Sequence, residues 1–342
     1  MDISNTEKSQ LKDRITNSIY SYIMRKRRIK YGIGVAAASI VVLMSIGISK
    51  NIIFNTSPIE NFVKTLEQDN IETLQNVKLI LSDNKNFEIA ENNAVISYSK
   101  NGQEVKIGNF KSVYQGTSKS KKLVFNTLIV PYGKRSEIEL ADGSKVWLNS
   151  GSKLIFPVSF TGKNREVYLE GEGIFEVTHD KSHPFIVKAN NHEIEVLGTV
   201  FNVSNYAYDN SINTILKSGS VQINFKSNAL IKSNKSIKIT PGELASYNKV
   251  SHEIETKKVE IEKYFSWREG IFIFKDDSLL SIMKKVSKYY NINIVIQNKE
   301  LANKKFSGSL DVKFNVENVL NTIKKTTKFE YTITEENKII IN

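Results

Sequence analysis

Few side chains in this sequence are suited to chemistry. The chain has 342 residues, no cysteine and four histidines, His179, His183, His192 and His252. Without cysteine there is no disulfide, no thiolate metal site and no thiol nucleophile. His179, Asp180 and His183 fall within THDKSHPF, a grouping that suggests a metal ion. Pro184 and the turn-like context argue against a helix presenting both rings to one ion, and no further ligand has a telling spacing. The stretch reads as a solvated loop, so neither a metal nor a cofactor is expected. There is no HExxH, GxSxG or phosphate-binding loop. The GEG at Gly171–Gly173 lacks the third glycine and following helix of a dinucleotide fingerprint. The carboxylates show no readable pairing. These absences point to a binding or signalling protein and away from an enzyme.

One peptide bond stands apart, Gly198-Thr199 in EVLGTVFNV. Glycine inside a strand pattern signals a bulge or a close approach of another element. A hydroxyl directly after glycine is also placed to attack the preceding carbonyl and convert the amide to an ester, where the backbone is strained. On the residues alone, the bulge is the simpler account.

From Val77 to about Ile261 the pattern is that of short alternating strands broken by polar residues and glycine. Ile138 and Leu140 before Asp142-Gly143, then Val146 and Leu148 after it, predict a tight hairpin. A second hairpin pairs Phe185 and Val187 with Ile194 and Val196 across Asn190-Asn191. A third is expected around Pro241-Gly242, between Ile237 and Ile239 on one side and Leu244 on the other. The absence of a helical period predicts an all-β domain over 77–262, built as a roll, sandwich or solenoid.

The pattern changes after Trp267. SLLSIMKKVSKYYNINIVI from Ser278 and NVENVLNTIKKTTKFEYTI from Asn315 align at an offset of 37 residues. Leu279, Ile282, Met283 and Val286 match Val316, Val319, Leu320 and Ile323 as helix-face positions. Ile292, Ile294 and Ile296 match Phe329, Tyr331 and Ile333 as a strand. Residues 264–342 therefore form a small α+β domain with a duplicated helix–strand unit, and Asp276 or Asp277 offers an N-cap for its first helix.

The stretch that anchors this array is Tyr31 to Ser49, nineteen residues without a charge. As a helix it is about 28 Å long, enough to cross the hydrocarbon core of a bilayer. Arg25, Lys26, Arg27, Arg28 and Lys30 precede it and only Lys50 follows closely. The positive-inside rule then keeps the N-terminus cytoplasmic and places the bulk outside. A cleaved signal peptide and a buried soluble helix are the competing accounts. The first is opposed by the thirty residues ahead of the apolar run, the second by a run that is apolar on every face.

The net charge of +12 fits this picture. The first fifty residues hold nine Lys/Arg against three Asp/Glu, which supplies half of it beside the membrane. The remainder is scattered, unlike the stripe of a nucleic-acid binder, so no direct nucleic-acid contact is expected. Residues 1–30 read as a short amphipathic cytoplasmic helix with Leu11, Ile15, Ile19 and Ile23 on one face, either a plain extension of the span or a docking helix for a partner. Residues 50–76 read as a helical linker, with Ile59, Phe62, Val63 and Leu66 at helical spacing.

At this point the residues carry a resemblance. VPYGKRSEIELADGSKVWLNSGSKLIFPVSF, REVYLEGEGIFEV, HPFIVKANNHEIEVLGTVFNVSNY, LKSGSVQI and ITPGELA follow one another in order. The series resembles the periplasmic domain of FecR-type transmembrane sigma-factor regulators of the Bacteroidetes form. WREGIFIFKDDSLLSIMKKVSKYYNINIVIQN and FSGSLDVKFNVENVLNTI resemble the C-terminal domain of these proteins, itself similar to the short N-terminal domain of secretins and TonB-dependent transducers.

The resemblance implies an inner-membrane regulator of the anti-sigma type with no enzymatic activity. Its periplasmic part would sense the signalling domain of a TonB-dependent outer-membrane transporter. Its cytoplasmic segment would act on an extracytoplasmic-function sigma factor, through Leu11, Ile15, Ile19 and Ile23. Many relatives carry a longer cytoplasmic region, whereas thirty residues precede the span here. Some members of the family are cut by themselves at the corresponding Gly-Thr bond and many share the motif without known cleavage, so the resemblance makes Gly198-Thr199 a candidate self-cleavage bond beside the bulge reading. The alternative is an envelope scaffold that uses the secretin-like domain without touching a sigma factor.

Overall fold

The strand Arg165–Glu176 joins the two halves of the β-rich part. Along it, REVYLEGEGIFE, buried and half-buried residues alternate from Arg165 to Glu172, and Gly171 takes a left-handed φ of 97°. There the strand turns from one sheet into the other. A Cβ at this position would lie 2.6 Å from the Ser152 Cα, so only glycine permits the crossing. In the computed structural model, residues 12–14, 16–26, 57–66, 71–108, 111–116, 123–190, 192–226, 234–334 and 338–342 are described.

One sheet runs Asn86–Ile89, Val77–Ile80, Phe125–Val130, Ser152–Pro157, the first half of Arg165–Glu176, Phe185–Ala189, His192–Val196, Val221–Lys226, Asn234–Ile239. The second runs Lys111–Tyr114, Glu104–Ile107, Asn93–Tyr98, Arg135–Glu139, Lys145–Leu148, the second half of Arg165–Glu176, Val200–Asn205, Ser211–Ser218, Glu243–Asn248, Ile254–Lys258. Both sheets face one core, in which Leu79, Phe156, Phe175, Phe185 and Phe201 are fully buried. Phe175 and Phe201 stack with centroids 5.1 Å apart. Each such side chain contributes roughly 1.5–3 kcal/mol by leaving water.

The turn chemistry explains two hairpins and misdirects the third. Across Asp142-Gly143, Ile138 pairs with Val146. Gly143 takes φ 81° and Asp142 accepts from the Ser144 N–H. Across Asn190-Asn191, Phe185 pairs with Val196 and Val187 with Ile194. The segments flanking Pro241-Gly242 do not pair with each other. Asn234–Ile239 pairs with Val221–Lys226 in the first sheet, and Glu243–Asn248 with Ser211–Ser218 in the second. A tight turn sets a local reversal, but here the two arms belong to facing layers.

The C-terminal part lies on the outer face of the second sheet. Ile174, Ile215 and Leu244 point outward and join Trp267, Phe272, Leu279, Met283 and Leu320 in a second core. The helix Leu279–Tyr290 buries Leu279, Ile282, Met283 and Val286; the helix Val316–Lys324 buries Val319, Leu320 and Ile323. Their N-caps, Ser278 and Asn315, are 37 residues apart, and each accepts from the backbone N–H three residues on. Neither Asp276 nor Asp277 is the cap. Asp276 has φ 52°, and Asp277 pairs with Lys263 at 2.7 Å. The following strands, Asn293–Ile296 and Tyr331–Thr334, lie on either side of Lys338–Ile341, parallel and antiparallel to it.

The linker is helical at Pro58–Thr65, where Ile59 is buried against Phe125 and Ile155 and the Phe62 ring lies 5.1 Å from that of Phe125. The chain divides into two compact units, 1–57 and 58–342. Within the first, residues 12–14 and 16–26 are helical. Leu11, Ile15, Arg27, Arg28, Lys30 and the apolar stretch Tyr31–Ser49 lie outside the described residues. Among the described residues, no helix is long and apolar enough to cross a membrane.

Candidate functional site

The THDKSHPF loop is organised by Asp180, which accepts from the Ser182 N–H at 2.8 Å and the His183 N–H at 3.2 Å. Its other oxygen lies 2.8 Å from His183 Nδ1. The bond to His183, then that to the Ser182 backbone, holds its carboxyl below the usual range. Among the described residues, no group of three or more His, Asp or Glu comes together as a metal site. Arg165 closes the loop from beneath, donating to the His183 and Thr178 carbonyls and to Asp142 at 2.8 Å.

Leu197 and Gly198 form the bend ahead of the strand Val200–Asn205, which carries a register shift between Val200 and Phe201. Glycine is required at 198 by a neighbour: an added Cβ would sit 2.5 Å from His179 Nδ1 and 2.8 Å from the His179 Cα. Thr199 is 4% exposed, and its hydroxyl donates to the Ser220 carbonyl at 3.0 Å. Its own carbonyl accepts from the Val177 N–H. The loop around His179 and the Gly198-Thr199 bond, both singled out by sequence, are thus one locality.

His192 opens its strand with a buried ring, 3.8 Å from the Tyr247 centroid and 6.1 Å from that of Phe225. Neither ring nitrogen has a hydrogen-bond partner among the described residues. Burial, followed by repulsion from His252 and Lys249, pushes its pKa down to about 4. A buried neutral imidazole of this kind is a packing element.

The seam between the β-rich part and the C-terminal domain carries polar links that local sequence reasoning did not anticipate. Arg135 donates to the Trp267 and Arg268 carbonyls at 2.7 and 3.2 Å. The Gly133 N–H and Ser150 hydroxyl both reach the Tyr289 carbonyl. Asn202 Nδ2 donates to the Tyr264 carbonyl, and Lys288 pairs with Asp209 at 2.9 Å while lying over the Tyr206 ring. A buried Arg at the head of a strand and a buried Asn within VFNVSN are the only traces in sequence.

The three-stranded sheet of the C-terminal domain presents open edges among the described residues. Asn342 N–H donates to the Glu330 carbonyl. The alternation of an antiparallel ladder then turns the N–H and C=O of Tyr331 and Ile333 away from Lys338–Ile341. Ile333 is 49% exposed on this edge. An unpaired edge is a template for another strand. In the N-terminal helix, Ile19 and Ile23 are 55% and 46% exposed, and Arg25 and Lys26 end its described part.

Residues 126–222 match the FecR protein family and residues 271–341 the FecR C-terminal family. The chain thus carries a FecR domain followed by a FecR C-terminal domain. A crystal structure at 1.65 Å of a candidate anti-sigma factor from Parabacteroides distasonis ATCC 8503 is similar, at 28% identity and a TM-score of 0.53. The match covers 63% of this chain and 98% of that one. A second structure bearing the same description, at 2.50 Å, matches with the same identity and TM-score over 64% and 98%. No curated protein matches the chain.

Proposed function

We propose that this protein is a single-pass inner-membrane regulator of the anti-sigma type. It relays a signal from an outer-membrane TonB-dependent transporter to an extracytoplasmic-function sigma factor. The apolar stretch Tyr31–Ser49 spans the membrane, and Arg25, Lys26, Arg27, Arg28 and Lys30 hold the N-terminus in the cytoplasm. There the face bearing Leu11, Ile15, Ile19 and Ile23 meets the sigma factor. FecR and FecR C-terminal domains following such a segment, with an anti-sigma description on a 28% identical structure, support this reading.

The C-terminal domain, 264–342, receives the transporter's signalling domain by strand addition along Tyr331–Thr334. The outward backbone groups of Tyr331 and Ile333 carry this proposal. The test is binding of the full-length protein, in detergent, to the purified signalling domains of the TonB-dependent transporters of its own organism. Ile333→Pro removes an outward donor and leaves the bonds to Lys338–Ile341 in place. It should weaken binding at least tenfold. Undiminished binding by this variant would move the contact elsewhere; no binding by wild type would leave the envelope scaffold as the better account.

Gly198-Thr199 is proposed as a self-cleavage bond within this relay. The Thr199 hydroxyl oxygen adds to the Gly198 carbonyl carbon, the C–N bond breaks, and the hydroxyl proton ends on the freed amine. Water then hydrolyses the resulting ester. The burial of Thr199 beside the His179 loop supports a built setting for the bond.

A further inference from the structure

A cavity of about 200 Å³ lies between the FecR domain and the C-terminal domain. It opens beside a broader groove that shares Asp209, Lys285 and Lys288 with it. Four of its lining residues carry polar groups that the protein leaves incompletely matched. Glu172, the middle residue of the GEG, accepts from Asn149 Nδ2 at 2.9 Å and Asn202 Nδ2 at 3.1 Å. It has no cation within ion-pair distance among the described residues. Asn202 is 0% exposed, and among the described residues its Oδ1 has no donor. Trp267 is buried, and among the described residues its indole N–H has no acceptor.

Lys285 completes the set. The neighbouring lysines are occupied, Lys263 by Asp277 and Lys288 by Asp209. The Lys285 ammonium instead lies 5.4 Å above the Phe274 ring, with no carboxylate in ion-pair contact among the described residues. Burial lowers its pKa, and Asp277 and Glu172 partly offset this from a distance. Among the described residues, one cavity therefore holds a carboxylate without a paired cation and an ammonium without a paired anion, and the two form no ion pair with each other. A buried polar group without a partner is costly, and native interiors rarely tolerate several together unless something fills them. Phe272 and Ile215 add apolar wall.

We infer that this cavity binds a small zwitterion of the α-amino acid class. Its carboxylate is received by Lys285 and the Trp267 indole N–H, and its ammonium by Glu172 and Asn202 Oδ1. Opposite charges on one compact molecule answer the opposite unpaired charges of the site. A simple carboxylate or a simple amine would satisfy only half of them. The proposal does not depend on the sigma-factor relay.

The test is calorimetric titration of the full-length protein in detergent with each of the twenty free L-amino acids. For any that bind, the deaminated carboxylate and the decarboxylated amine are titrated in parallel. At least one amino acid should bind, with both half-analogues at least tenfold weaker. Glu172→Gln and Lys285→Met should each weaken binding at least tenfold. Lys285→Met, at the mouth of the cavity, carries the result if Glu172→Gln does not fold. The proposal is overturned if no amino acid binds, if either half-analogue binds as well as its parent, or if Lys285→Met binds like wild type. A crystal structure grown with the amino acids that holds only ordered water in the cavity would overturn it equally.

Discussion

Arg135 Nη1 lies 2.7 Å from the carbonyl oxygen of Trp267, across 132 residues of sequence. The bond fastens the FecR domain to the short helical turn that starts the C-terminal domain. Hydrogen bonds from a charged donor are worth about 1.5–3 kcal/mol. Gly270, just beyond that turn, also packs against the Arg135 guanidinium. Arg135→Met should therefore lower stability by about 2 kcal/mol and separate the unfolding of the C-terminal domain from that of the rest. Calorimetry would read two transitions where wild type gives one.

The buried ring of His192 makes a pH prediction. Its folded pKa, about 4, lies below the ordinary 6.5, so the unfolded chain binds more protons between those values. Stability from this group is full above pH 6.5 and is lost as pH falls toward 4. The loss is on the order of 2–3 kcal/mol. His192→Phe keeps the stack on Phe225 and the edge contact with Tyr247 and removes the titration. Its denaturation midpoint should hold steady across that window while wild type declines.

Two variants separate structure from chemistry at the Gly198-Thr199 bond. Gly198→Ala drives a Cβ into His179, against the backbone as well as the ring, and should cost about 1–3 kcal/mol. Thr199→Ala removes one hydrogen bond to Ser220. It should fold, and on a denaturing gel it should run as one full-length band where wild type gives two. Two bands in both would remove Thr199 from the cleavage.

Ile59 ties the helix Pro58–Thr65 to the sheet. Ile59→Ala deletes a side chain 1% exposed against Phe125 and Ile155, a change that typically costs 2–5 kcal/mol. Here the loss falls on a single short helix. The expected result is undocking of 58–65 alone, read as new proteolytic cuts there with the thermal midpoint of the β-rich part unchanged.

What the sequence disclosed depended on range. Ile138 and Val146 are eight residues apart, and Asp-Gly between them specifies both the turn and the pairing. The 37-residue repeat was legible because helix faces and caps are local. Pro241-Gly242 misled because a turn signal names a reversal and says nothing of which layer each arm joins. The N-cap fell on Ser278 because the strand Ile271–Ser278 runs through both aspartates. Glu172, Asn202, Trp267 and Lys285 reach one cavity from four distant elements, and no spacing in the chain announces them. The family resemblance reached the two domains through ordered motifs, yet it gave no hint of the seam that Arg135 closes.

The proposed relay is tested most directly at the N-terminal helix. The full-length protein, solubilised and affinity-purified from its own cells, should carry an extracytoplasmic-function sigma factor. The double variant Ile19→Asp, Ile23→Asp, which charges the exposed stripe of the N-terminal helix, should recover at least tenfold less. If wild type brings down no sigma factor, or if the double variant brings down as much as wild type, the account of this protein as an anti-sigma regulator acting through that helix is contradicted.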